Sequence, residues 1–331
     1  MAILRYIIAV AASLMLTGCY EDFNPEIDTK PVLCLNSLIT AGEPVEVQVT
    51  HNWMFDDAGA EADHAVTDAT VSLTVNDLPA PEGYTAREGD RIFIEAVSPT
   101  YGTATAEVTV PRATPIGKVT VTPTVTNIWR GDSDFFGHEM LADITFNIAI
   151  EMDVDDPAGI DNYYHFDYNW FCATAPDSYI HGTLQMGRME YDAEPIFKEH
   201  IGVFETVMGN ADDTDFVFFT DRQFSGSTYT LHLNFTANTF SVRSPDYDAS
   251  LLDCGLTLFL TSVSRSYYNL AVYRWNVDEG VIGDLSDVGL AEPHWAYSNV
   301  STGAGVVAAR SSVHRTIPLA AFLEEVLAVG R

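Results

Sequence analysis

Apolar and polar side chains alternate along most of the chain. Val45-Glu46-Val47-Gln48-Val49, Thr70-Val71-Ser72-Leu73-Thr74-Val75, Arg91-Ile92-Phe93-Ile94-Glu95 and Ala106-Glu107-Val108-Thr109-Val110 each repeat with a period of two. That period places one set of side chains on one face of an extended strand. Asn76-Asp77 follows the second run and suits a tight turn. Short strands divided by polar turns predict an all-β sandwich over residues 31–112. Tyr84 and Tyr101 fall in its turns as packing residues. Pro111-Arg112-Ala113-Thr114-Pro115 marks a boundary, because proline cannot continue a ladder.

A larger β-rich region, sandwich or barrel-like, is expected over 116–331. Its candidate strands are Val119 to Val125, Leu141 to Ile150, Tyr163 to Cys172, Phe216 to Phe219, Thr228 to Phe235 and Leu256 to Ser262. Phe216-Val217-Phe218-Phe219 is apolar on both faces and is expected deep in the core. Two short helices complete the prediction. In the first, Tyr268, Val272 and Trp275 share a face and Ser266 stands where a cap could lie; the second runs from Pro318 to Val329.

The beginning of the chain reads as a processing segment. Arg5 supplies a positive charge and Tyr6 to Leu16 is apolar, shorter than a helix needs to cross ~30 Å of hydrocarbon. Leu16-Thr17-Gly18-Cys19 resembles a bacterial lipobox, which makes residues 1–18 a lipoprotein signal peptide and Cys19 the lipidated residue. Residues 19–30 then form an acidic tether, in which Tyr20-Glu21-Asp22 resembles the export signal of surface-exposed lipoproteins of the Bacteroidota.

Charge sharpens this picture. With 16 Lys and Arg against 47 Asp and Glu, the formal net charge is -31. Nucleic-acid binding needs clustered cations and is excluded as an expectation. An anionic leaflet would repel such a chain, so membrane affinity must come from the lipid. If Cys19 is acylated, Cys34, Cys172 and Cys254 remain, an odd number. Buried thiols are the expected state, with one disulfide and one free thiol as the alternative.

Several segments resemble a family of lipoproteins grouped as domain of unknown function 4249. They are the strand Pro31 to Thr40, the run Thr67 to Leu73, the loop from Asp153 through Gly159 to Asn162-Tyr163-Tyr164, the stretch Ser262 to Tyr268, and Glu292-Pro293, Ser298-Asn299-Val300 and Gly303-Ala304-Gly305. The resemblance implies an outer-membrane lipoprotein with an immunoglobulin-like N-terminal sandwich, working beside a TonB-dependent receptor. It brings no catalytic residues.

Candidate chemistry is sparse. Gly303-Ala304-Gly305-Val306-Val307-Ala308 has the form of a dinucleotide fingerprint, but too little chain follows for that fold. The glycines are expected instead to make a tight turn into a last strand. Asp153, Asp155 and Asp156 are weak calcium candidates, as are the groups around Asp212 and Asp246, although none has EF-hand spacing. His165 and Asp167 share a face of a strand and form a possible metal pair. Aromatics such as Tyr163, Tyr164, Phe166 and Tyr168 could stack on sugars, but they suit a core strand better. No cofactor or reaction is expected. The functional expectation is a non-enzymatic, outer-membrane-anchored and surface-exposed accessory lipoprotein, partnered with a TonB-dependent β-barrel receptor in nutrient capture or uptake. A structural or adhesive surface protein and a hydrolase with dispersed carboxylates are the alternatives.

Overall fold

In a computed structural model, residues 31–52, 64–131, 142–173, 183–190, 194–201, 216–242, 253–278, 280, 283, 286, 296–318 and 323–326 are described. Cys19, the tether and the acidic groups at 212–215 and 246–248 lie outside them.

The chain is mainly β, arranged in several open sheets. A central sheet of six strands runs β12-β9-β14-β15-β1-β2, where β1 is Leu33–Thr40, β2 Gln48–His51, β9 Tyr163–Ala173, β12 Phe218–Thr220, β14 Asp253–Val263 and β15 Val307–Pro318. A four-stranded sheet contains β3 (Thr70–Val75), β4 (Leu78–Pro79), β5 (Arg91–Ser98) and β6 (Gly102–Thr109). The third sheet is built from β7 (Ile116–Trp129), β8 (Ala142–Asp155), β10 (Thr183–Gln185), β11 (Met189–Glu190) and β13 (Thr228–Val242).

Both smaller sheets pack on the same face of the central one. Leu33, Leu35 and Ile39 of β1 and Val307 and Ala309 of β15 meet Ile92, Ile94, Ala104 and Ala106 of the four-stranded sheet. Leu256, Leu258 and Leu260 of β14 and Tyr164 and Phe166 of β9 meet Ile144 to Val154 of β8 and Leu231 to Phe240 of β13. The alternation of β8, with Ile144, Phe146, Ile148, Ile150, Met152 and Val154 all buried, supplies one wall of this second core. Each such side chain contributes roughly 1.5–3 kcal/mol relative to exposure. Val32 to Arg331 form one compact unit.

Local chemistry explains the connections. Asn76 and Asp77 have φ of 51° and 69°, and Val75 pairs with Leu78, so they form the expected two-residue hairpin turn. Parallel pairing of β1 with β15 puts Ile39 opposite Ala309. Gly305, at φ 102°, turns the chain into β15, where a Cβ would stand 2.2 Å from the Leu35 carbonyl oxygen.

Helix α1 spans Arg265–Asp278. Its cap is Ser264 rather than Ser266: the Tyr267 N–H donates to Ser264 Oγ at 3.3 Å, while Ser266 Oγ donates to the Val307 carbonyl at 2.8 Å. The second expected helix is described only at residues 323–326, with Leu323 and Val326 buried. Phe219 is in the core as expected, but Phe218 lies on the opposite sheet face, stacked on His165 at 4.3 Å. Cys254 is disulfide-bonded and Cys34 is a free thiol, which corrects the expectation of reduced thiols throughout. The Cys172 backbone stands opposite Cys254 in the ladder.

Candidate functional site

The site follows from how the connection between the two cores is fastened. Residues 110–115 cross the central sheet between β6 and β7. Ser311 Oγ donates to the Pro111 carbonyl at 2.7 Å, and the Thr114 N–H donates to Ser262 Oγ at 3.1 Å. Thr114 Oγ1 lies 3.1 Å from the Tyr164 hydroxyl, which in turn donates to Asp156. Asp156 is buried and closes its own loop by accepting from Asn162 Nδ2 at 3.0 Å and from the Gly226 N–H at 2.8 Å. Burial, then the Asp156 hydrogen bond, holds the Tyr164 phenol well above its ordinary pKa.

Beside this network opens a cleft of about 620 Å³. One wall is the end of β6 with Pro111 and Arg112; a second is the loop Ile160-Asp161-Asn162-Tyr163. The floor is Ser262 to Ser266, with Asn269 and Tyr297 behind it. The volume lies within the roughly 300–1,000 Å³ usual for small-molecule sites. Its floor is rigid, because the Ser264 N–H donates to the Ala309 carbonyl at 2.8 Å and the Ala309 N–H donates to Ser264 Oγ at 3.0 Å.

The cleft mixes polar and apolar side chains and holds both signs of charge. Glu107 faces Arg91 at 3.7 Å. Arg112 and Arg265 are exposed, and neither guanidinium has a hydrogen-bond or ion-pair partner among the described residues. Asn269 Nδ2 donates weakly to the Tyr297 hydroxyl at 3.5 Å.

Two stretches that carried the family resemblance meet here, Asn162-Tyr163 and Ser262 to Ser266, and Tyr297 precedes a third. A family model described as "Domain of unknown function (DUF4249)" matches residues 20–316. The chain belongs to this family. Comparison of this DUF4249 protein with curated proteins and with solved structures finds no match.

The other sequence candidates do not converge on the cleft. In this DUF4249 chain Asp153 accepts from the Thr230 hydroxyl and Asp155 from the Thr228 hydroxyl, each at 2.6 Å, on the outer face of β8, while Asp156 turns inward. The three carboxylates therefore point to separate partners. Among the described residues no three metal-ligating side chains gather. His165 lies beneath Phe218, and burial lowers its pKa against the opposing pull of Asp167. Tyr164 and Phe166 are core residues, and Tyr168 packs edge-on against Phe235. Among the described residues no helix is long and apolar enough to cross a membrane.

Arg112, Arg265, Asn269 and Tyr297 carried no local signal that set them apart. The one available clue was scarcity: a basic side chain is rare in so acidic a chain, and two stand next to prolines or serines rather than acids.

Proposed function

We propose that this protein is an outer-membrane lipoprotein, tethered through an acylated Cys19 and facing outward, that binds a small polar nutrient without transforming it and serves a TonB-dependent β-barrel receptor. The observation that carries this reading is Leu16-Thr17-Gly18-Cys19 followed by Tyr20-Glu21-Asp22 at the head of a DUF4249 chain. The lipid supplies the membrane affinity that a net charge of -31 denies. The cleft supports a binding role: its floor is fastened to β15 through Ser264 and Ala309, which reduces the ordering cost on ligand capture.

Two experiments test this. Cys19→Ala should abolish labelling with a radioactive fatty acid and release the protein from membranes. Crosslinked pull-down from outer membranes, read by mass spectrometry, should recover a β-barrel receptor. Recovery of no barrel protein above background would remove the partnership. Protease shaving of intact cells should degrade the folded part; protection would place it on the inner side.

A further inference from the structure

We infer that the cleft between the two cores takes a singly charged, carboxylate-bearing polar small molecule, with the carboxylate held by Arg112 and Arg265. This rests on the binding role given to the cleft and is independent of the receptor.

Acidic residues outnumber basic ones 47 to 16, so an arginine has many potential partners. Arg91 is paired with Asp77 and Glu107, Arg274 with Asp278, and Arg310 and Arg315 donate to Thr40 and to the Gly117 carbonyl. The guanidiniums of Arg87, Arg112, Arg222 and Arg265 have no hydrogen-bond or ion-pair partner among the described residues, and of these Arg112 and Arg265 line the same cleft. A guanidinium presents a planar fork of donors that matches a carboxylate in two parallel hydrogen bonds.

The cleft's own acids set the charge of the ligand. Glu107 and Asp161 both line the cleft, and Arg91 is shared between Glu107 and Asp77. A ligand with one carboxylate suits this lining, since each further negative charge would meet Glu107, Asp161 and the surrounding negative protein. A doubly charged phosphate would meet stronger repulsion from them. Of the uncharged lining, Val108, Pro111, Ile160 and Val263 are apolar, while Asn269, Tyr163 and Tyr297 offer donors and acceptors to hydroxyl or amide groups on the body of the ligand. Acidic sugars and peptide C-termini share this chemistry.

Isothermal titration of the full-length, detergent-solubilised lipoprotein distinguishes them. The probes are D-glucuronate against glucose, N-acetyl-trialanine against its amide, and inorganic phosphate. One of the two acids should bind, and its neutral counterpart should bind at least about tenfold more weakly. Glucuronate binding identifies an acidic sugar as the source, and peptide binding identifies a chain terminus. Arg112→Gln and Arg265→Gln should each weaken the acid about tenfold or more without lowering Tm, since both side chains are exposed. The inference is overturned if neither acid binds at millimolar concentration, if the neutral analogues bind equally, if phosphate binds more tightly than both acids, or if both arginine variants bind as the parent does. A failed receptor pull-down leaves these results standing, and failure here leaves the pull-down standing.

Discussion

Replacing Tyr164 by Phe tests whether the buried network behind the cleft is a structural rivet. The ring itself is fully buried against Phe219 and Phe224 and would be kept. The hydroxyl would be lost, and with it a donor to Asp156 and the neighbour of Thr114 Oγ1 at 3.1 Å. Asp156 would retain Asn162 and Gly226, and Thr114 would retain Ser262 at 3.3 Å, so neither is left wholly bare. A hydrogen bond to a carboxylate contributes about 1.5–3 kcal/mol, and the partial rescue places the expected loss near 2 kcal/mol. At roughly 2 °C per kcal/mol for a chain of this size, Tm should fall by about 4 °C. Urea unfolding followed by tryptophan fluorescence measures the loss, with an unchanged m-value as the check on the unfolded state. Tyr168→Phe is the matched control: its hydroxyl accepts from the Met189 N–H at a long 3.3 Å, so the loss should stay below about 1 kcal/mol. Equal losses for the two variants, or a Tyr164→Phe loss below about 0.5 kcal/mol, would refute the assignment.

Three further outcomes follow from the same structure. Burial raises the pKa of Tyr164, Tyr229 and Tyr268, so the fold favours their neutral forms; that stability is complete below the ordinary tyrosine pKa of 10.0 and is lost as pH rises beyond it, and alkaline melting curves should show Tyr164→Phe losing less than the parent. Burial against Phe216 and Trp275 lowers His200 to about 4, so its contribution is present above the ordinary 6.5 and is lost as pH falls toward 4; His200→Phe should flatten the fall in Tm measured over that window, and an unchanged slope would exclude the residue. Gly305→Ala combines a φ of 102° with a Cβ only 2.2 Å from the Leu35 carbonyl oxygen, and should cost at least about 2 kcal/mol by chemical denaturation.

Strand content was legible in the sequence wherever one face met solvent. Arg91 to Glu95 and Ala106 to Thr109 fall in β5 and β6 because alternation there reports burial directly: Ile92, Ile94, Ala106 and Val108 are buried while Arg91, Glu107 and Thr109 are exposed. The turn at Asn76-Asp77 was legible for a different reason, since those residues tolerate positive φ. Pairing was not legible. Nothing local links Ser37 to Val307, because a parallel ladder between distant segments is fixed only when the whole sheet assembles. The helix cap was misplaced by two residues because Ser264 and Ser266 are both capable; tertiary hydrogen bonds to Ala309 and Val307 decide which does what. Phe218 was misread because an apolar run can be covered on one side by a core and on the other by a helix, here through Tyr267. The cleft was invisible for the same reason as the pairing: its four walls come from segments up to 190 positions apart along the chain, Glu107 and Tyr297 among them.

The junction of β1 with β15 has a consequence for how the molecule comes into being. Leu33, Leu35 and Ile39 gain part of their cover from Ile92 to Ala106, but their parallel edge stays open until Val307 and Ala309 have been made. Such distant contacts make for slow closure. The seam of the first core is therefore among the last parts of the molecule to shut.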